Sequence, residues 1–221
     1  MNNQESHILL SRFSHEVRNP VALISSFLQL LVREYPEIAA SPYCRQIEEN
    51  MRLLRQLLDD MSRYNNASGI HPETADLHQF LTELSLSAGA VLSARHIRLR
   101  TEFLTPLPPV SIDRSRMLQV FYNLLRNAEE AMPQGGEITI SAFSEDSRVC
   151  ISVRDSGPGI PPEYLSTLFD PLITHKQDGT GLGLAICREI LTAHGGTISV
   201  APDGAPVFTI RLPSGRSPLP S

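Results

Sequence analysis

Four clusters in this chain carry residue types at spacings that could do chemistry. The first is Phe13-Ser14-His15-Glu16-Val17-Arg18-Asn19-Pro20. An imidazole offers a ring nitrogen that is a nucleophile or a proton carrier near neutral pH. Phe13 and Val17 each lie two positions from His15, about 200° around a helix axis, so the ring is expected to point away from an apolar seam and into solvent. Glu16 adjoins it, and Asn19 falls one turn later on the same outer face. A lone surface histidine is the plain alternative, but Pro20 weighs against it. Proline has no N–H, so the carbonyl of Glu16 loses its helical partner and the helix is expected to bend just past the histidine.

The second cluster is Asn123-Leu124-Leu125-Arg126-Asn127-Ala128-Glu129-Glu130-Ala131-Met132. Asn123 and Asn127 share a helix face, and two neutral amide oxygens at that spacing suit a hard cation such as Mg²⁺ that bridges substrate phosphates. A pair of solvated amides is the alternative, although asparagine is a poor residue for a helix interior. The third is Asp155-Ser156-Gly157-Pro158-Gly159-Ile160. Asp155 continues the alternation of Val149, Ile151 and Val153, so its carboxylate falls on the apolar side of a strand and needs a donor. The exocyclic amine of adenine is one candidate, and an Asp that merely opens a turn is the other reading. The fourth is Gly179-Thr180-Gly181-Leu182-Gly183-Leu184, opening directly into a helix. Glycines let backbone N–H groups approach an anion, and a helix N-terminus adds a favourable dipole. The loop-rich stretch from Ser156 to Asp178 that precedes it has the length of a functional lid.

The elements needed to position these clusters are legible in the hydrophobic periodicity. Leu10, Phe13, Val17, Ile24, Phe27 and Leu31 recur at intervals of three and four with Pro20 filling the remaining position, which predicts a helix from about His7 to Glu34 after a polar lead-in. A second helix is expected over about Tyr43 to Tyr64, with Ile47, Met51, Leu54, Leu57, Leu58 and Met61 as its stripe. Two such helices cannot bury both stripes alone, so a homodimer forming a four-helix bundle is expected, and a hairpin laid on another domain is the alternative. Asn65-Asn66-Ala67-Ser68-Gly69 reads as turn chemistry between domains. Beyond it come a helix to about Arg95 capped by Asp76, a strand over Ile97, Leu99, Thr101 and Phe103, and a helix from Arg114 to Met132 capped by Asp113. Strands around Ile138 to Ala142 and Val149 to Val153, a helix from Leu182 to Ala193, and strands around Ile198 and Phe208 to Leu212 complete the pattern. The expected fold is α+β: a helical hairpin at residues 1–66, a linker at 67–75, an α/β sandwich at 76–213 with its helices on one face of a largely antiparallel sheet, and a disordered tail at 214–221.

Composition narrows the function. The 221 residues are 41% hydrophobic and 19% charged with a net charge of −5, which disfavours nucleic-acid binding because phosphate neutralisation needs a basic face. The run from Val21 to Val32 is broken by Ser25, Ser26 and Gln29 and is too short and amphipathic to span a bilayer, and no signal peptide opens the chain. Three scattered cysteines lack metal-ligand spacing and read as reduced thiols, so a cytoplasmic location is expected.

Together and in this order, the clusters resemble the H-box and the N, G1, F and G2 boxes of sensor histidine kinases, the last four belonging to the GHKL (Bergerat) ATP-binding fold. The wording from Asn127 to Gly136 is most similar to the nitrogen-regulation and sporulation kinase subgroups. The resemblance implies that His15 is phosphorylated from Mg-ATP, that Glu16 accepts the Nδ1–H so that Nε2 attacks, and that the phosphoryl group then passes to an Asp of a response-regulator receiver domain. It assigns Asn123, Asn127, Asp155, Gly157, Gly159, Lys176, Gly179, Thr180, Gly181, Leu182 and Gly183 to the nucleotide, with Asn127 on the metal. It also gives Asn19 a part in orienting the water that dephosphorylates the regulator, so a phosphatase activity is implied. Glu130 stands where many members carry a basic residue toward the phosphates, and Lys176 and Arg126 are the candidates for that contact; Leu172-Ile173 stand where a Phe pair is common. No sensor domain is recognisable before the bundle. Two rivals are a GHKL ATPase of the gyrase, Hsp90 or mismatch-repair kind, which would use a Glu at the position of Asn123 to activate water, and a phosphorelay scaffold with a degenerate nucleotide domain.

Overall fold

The structure is a computed structural model that describes the backbone at residues 3–176, 179–201 and 206–215, with side chains from residue 16 onward in those ranges. The chain divides into two compact units: residues 1–66 with 172–182, and residues 67–171 with 183–221.

The first unit is a helical hairpin. Helix α1 (Asn3–Glu34) passes through Pro20 without interruption and starts four residues before the expected His7. The side chains of the expected seam positions Leu10 and Phe13, like that of His15, lie outside what is described. A 3-10 turn (Pro36–Ala40) leads to α2 (Pro42–Asn65), whose first turn is capped by Ser41: its Oγ accepts from the N–H of Tyr43 at 3.3 Å. Val21, Met51 and Leu58 form the core between the helices, with Val17 and Leu54 packed against it. Each fully buried side chain of this size contributes about 1.5–3 kcal/mol. This seam is not the one that the three-four spacing picks out. Ile24, Phe27 and Leu31 stay 49%, 66% and 43% exposed. Of the expected positions the intrachain contact keeps Val17, and it continues through Val21 and Ser25, a row at intervals of four, so α1 carries two apolar faces and spends one on α2. Arg18 clamps the pair, its Nη2 donating to the Leu58 carbonyl at 3.5 Å and to Asp59 Oδ1 at 3.1 Å.

The second unit is an α/β sandwich. Its five-stranded sheet has the order β2-β4-β5-β7-β6, from β2 (Ile97–Phe103), β4 (Gly136–Glu145), β5 (Arg148–Asp155), β6 (Thr197–Val200) and β7 (Val207–Pro213). Only β2 and β4 run parallel; the other pairs are antiparallel. One face is covered by α3 (Leu77–Ser93), α4 (Arg114–Ala131) and α6 (Gly183–Ala193). The alternation that predicts the strands also sets the core: Ile138, Ile140 and Ala142 on β4 and Val149, Ile151 and Val153 on β5 are buried, as are Phe80 and Leu84 of α3 and Val120, Phe121 and Leu124 of α4. Asp76 and Asp113 cap α3 and α4 as expected, their Oδ1 atoms accepting from Gln79 and Arg116 N–H at 3.1 Å each. Periodicity misses two features. A two-stranded antiparallel sheet joins β1 (Glu73–Ala75) to β3 (Val110–Ile112), segments of three residues each, too short to show alternation. Residues 73–75 therefore hold a strand where a linker is expected. A single turn of helix, α5 (Pro162–Leu165), interrupts the long loop. The tail from Arg216 onward lies outside the described residues.

Cys44, Cys150 and Cys187 are all buried free thiols, and burial pushes Cys187 up to about 12. Among the described residues no helix is long and apolar enough to cross a membrane.

Candidate active site

Asp155 ends β5 opposite Ile138 of β4, so the inward series of that strand carries its carboxylate to 5% exposure. Its Oδ1 accepts from the N–H of Gly157 at 2.9 Å; among the described residues Oδ2 accepts no hydrogen bond. Burial raises the carboxyl above the usual range, and the Gly157 N–H offsets part of that rise. Gly157 is required by close approach, since a Cβ there would lie 2.7 Å from Asp155 Oδ1 and 3.3 Å from the Ala131 side chain. Gly159 holds φ at +92°, the left-handed region that suits glycine. Ser156, which sequence reasoning left aside, ties this turn to the sheet: its Oγ accepts from the Glu137 N–H at 3.0 Å.

Helix α4 presents Asn123 and Asn127, both half-buried. Asn123 is turned toward α6: its Nδ2 donates to the Gly183 carbonyl at 3.1 Å and lies 3.7 Å from Cys187 Sγ. It thus holds the first turn of α6 against α4. Gly183, the first residue of that helix, has open space around it, with only the Asn123 side chain within 4 Å of an added Cβ. Arg126 pairs with Glu130, Nε to Oε1 at 2.9 Å, so one candidate for the phosphate contact is engaged on its own helix. No group of three or more acidic, His or Cys ligands occurs among the described residues. The half-buried amide of Asn127 suits, by the chemistry of its neutral oxygen, a Mg²⁺ held mainly by nucleotide phosphates and water.

In the helical unit, Gly179, Thr180, Gly181 and Leu182 form the rest of the glycine loop, and Lys176 is exposed ahead of it. Gly181 adopts φ of +68°, and a Cβ there would lie 2.7–2.8 Å from the Leu172 and Ile173 backbone; its carbonyl accepts from the Leu172 N–H at 3.1 Å. Thr180 is buried at 9% exposure, and its Oγ1 donates to Asp60 Oδ2 of α2 at 2.8 Å. Asp60 has no motif around it, and the sequence holds no signal for this contact. On α1, Glu16 and Asn19 are both exposed, in keeping with an outward face one turn long. The unit division of the chain passes between Leu182 and Gly183.

Outside these clusters, His194 is 1% exposed at the end of α6. Its Nε2 accepts from the Asp113 N–H at 2.9 Å and its Nδ1 lies 2.7 Å from the Ile190 carbonyl, so the proton sits on Nδ1. Burial lowers its pKa, and the Ile190 carbonyl and the nearby Asp113 counteract this.

A family described as the His Kinase A (phospho-acceptor) domain matches residues 7–67, and one described as the histidine kinase-, DNA gyrase B-, and HSP90-like ATPase matches residues 112–216. The chain is 32% identical over 213 residues to sporulation kinase D of Bacillus subtilis, covering 95% of this chain and 42% of that protein. It is 33% identical over 217 residues to the sensory histidine kinase/phosphatase NtrB of Salmonella typhimurium, covering 93% and 61%. Among solved structures, the catalytic domain of histidine kinase ThkA is 33% identical, with a TM-score of 0.60 over 66% of this chain and 97% of that one. ThkA in complex with response regulator protein TrrA matches at 27% identity and a TM-score of 0.66, over 94% of this chain and 61% of that one. The chain belongs to the sensor histidine kinases, of the kind that NtrB and the sporulation kinases represent. It spans about half the length of the curated relatives it matches.

Proposed function

We propose that this chain is a histidine kinase core that phosphorylates His15 from Mg-ATP and passes the phosphoryl group to an Asp of a response-regulator receiver domain. The observation that carries the nucleotide half is Asp155. A carboxylate at 5% exposure, one of whose oxygens accepts no hydrogen bond among the described residues, carries a desolvation cost that a bound purine amine would offset. Asn127 would hold Mg²⁺ on the phosphates, and the ion when bound supplies charge neutralisation. Glycines 179, 181 and 183, with Thr180 and Lys176, would hold the phosphates. Nε2 of His15 attacks the γ-phosphorus, the bond to the β–γ bridging oxygen breaks, and ADP leaves with that electron pair. Glu16 accepts the Nδ1–H and so keeps the lone pair on Nε2.

The position of Asn123 supports a kinase over a water-activating ATPase. Its amide is committed to the Gly183 carbonyl, and an amide is a poor base. The exposed second face of α1 supports a homodimer, and the ATP requirement with three reduced thiols supports a cytoplasmic location. Asn19, exposed one turn after His15, is suited to orient a water for dephosphorylation of the partner regulator. Incubation with γ-labelled ATP tests the reading: label should be acid-labile and alkali-stable, and His15→Gln should abolish it while nucleotide affinity stays at the wild-type value. Label retained on the variant would remove His15 as the acceptor.

A further inference from the structure

The hydrogen bond from Thr180 to Asp60 consumes a group that the nucleotide loop needs. A hydroxyl carries one proton and can donate to one acceptor. Here Thr180 Oγ1 donates to Asp60 Oδ2 at 2.8 Å, and the same oxygen accepts from the Leu182 N–H at 3.4 Å. Two donors that could face a phosphate oxygen, the Thr180 hydroxyl and the Leu182 amide, are therefore turned inward. Asp60 is held in place on α2 by Arg63, Nη1 to Oδ1 at 3.4 Å, and its carboxylate is only 15% exposed, so screening by water is reduced. The preceding residue, Asp59, holds Arg18, three positions after His15. One turn of α2 thus grips both the phosphoacceptor helix and the glycine loop.

We propose that Asp60 is a latch on the glycine loop, occupying the Thr180 hydroxyl and opposing a phosphate by like charge, so that nucleotide phosphates must displace it. This rests on the reading of the loop as a phosphate-binding element. Triphosphate binding and the Asp60 hydrogen bond are alternatives for the same proton, and any shift of α2 that withdraws Asp60 raises the affinity for ATP.

The test uses the full chain, with calorimetric affinities for a non-hydrolysable ATP analogue and for adenosine. Asp60→Ala should tighten analogue binding about tenfold to a hundredfold, the scale of one lost hydrogen bond to a charged group, with adenosine affinity unchanged. Asp60→Asn keeps the shape and drops the charge, so it should shift the same way by less and gives an answer if the Ala variant does not fold. In a Thr180→Val background the gain from Asp60→Ala should shrink, because no hydroxyl is released. Unchanged or weaker analogue binding, an equal gain for adenosine, or an equal gain in both backgrounds overturns the latch. Analogue binding by wild type with no response to either Asp60 change defeats the latch alone, whereas no binding by any variant defeats the nucleotide reading and the latch with it.

Discussion

Asp155 sets function against stability at a single residue. Burial raises its carboxyl, so the folded state favours the protonated form more than the unfolded chain does. A raised folded pKa contributes stability below the unfolded value of about 3.9 and loses it as pH rises through the folded value. At neutral pH the ionised group is therefore a cost to the fold. Asp155→Asn should leave the urea midpoint at pH 7 unchanged or higher while weakening ATP binding at least about tenfold, because the amide presents a donor where an acceptor is needed. A variant that loses both together would make Asp155 a structural residue. His194 has the opposite arithmetic. Its lowered pKa means that stability is full above about pH 6.5, the unfolded value, and declines as pH falls toward the folded one. His194→Gln can keep one donor and one acceptor without titrating, so its denaturation midpoint should lose less between about pH 6.5 and pH 5 than wild type does. An equal loss would place the acid sensitivity elsewhere. Asp155 is legible in the sequence because strand alternation alone puts it inside. His194 and Asp60 are not, since what defines them is a partner 81 and 120 positions away in the chain.

Among the elements, α1 shows where periodicity reads truly and where it misleads. Intervals of three and four establish the helix, yet they do not say which of two apolar rows meets α2. The row through Ile24, Phe27 and Leu31 is the outer one in a single chain, and Leu23 and Leu30 widen it at 57% and 56% exposure. Such a face marks an interaction site, and in the proposed homodimer a second copy would cover it. Phe27→Glu should raise the dimer dissociation constant by at least about tenfold, since burying one Phe contributes about 1.5–3 kcal/mol. Helical content by circular dichroism should persist, because Phe27 takes no part in the Val21, Met51 and Leu58 core. Sedimentation at the wild-type mass would assign this face to another partner. The sheet was legible strand by strand, but not its parallel pair: β2 and β4 are separated by β3 and α4, and neighbours of that kind depend on topology rather than on local pattern.

For the whole molecule, the position of the division decides which fragments fold. Composition suggests cutting anywhere in the stretch 67–75, but that stretch belongs to the sandwich. The His71 N–H donates to Asp113 Oδ2 at 2.9 Å, the Gly69 carbonyl accepts from Arg116 Nε at 3.3 Å, and Ala67 is wholly buried. A fragment of residues 67–221 should fold, sediment as a monomer and bind nucleotide. One beginning at Pro72 forfeits both hydrogen bonds and should be less stable by about 1–3 kcal/mol in urea titration. Equal stability for the two would leave residues 67–71 without a structural part.

The buried thiols turn this division into something that chemistry can read without any introduced residue. Cys44 sits in the hairpin, while Cys150 and Cys187 sit in the sandwich. A thiol reacts as its anion, and these are shielded from reagent and, at positions 150 and 187, held protonated by burial. Modification by a disulfide reagent must then wait for the surrounding structure to open. The labelling rate of position 44 against those of 150 and 187 gives the opening free energy of each part in the same tube, and the native sequence carries its own clock for how independently the two parts breathe.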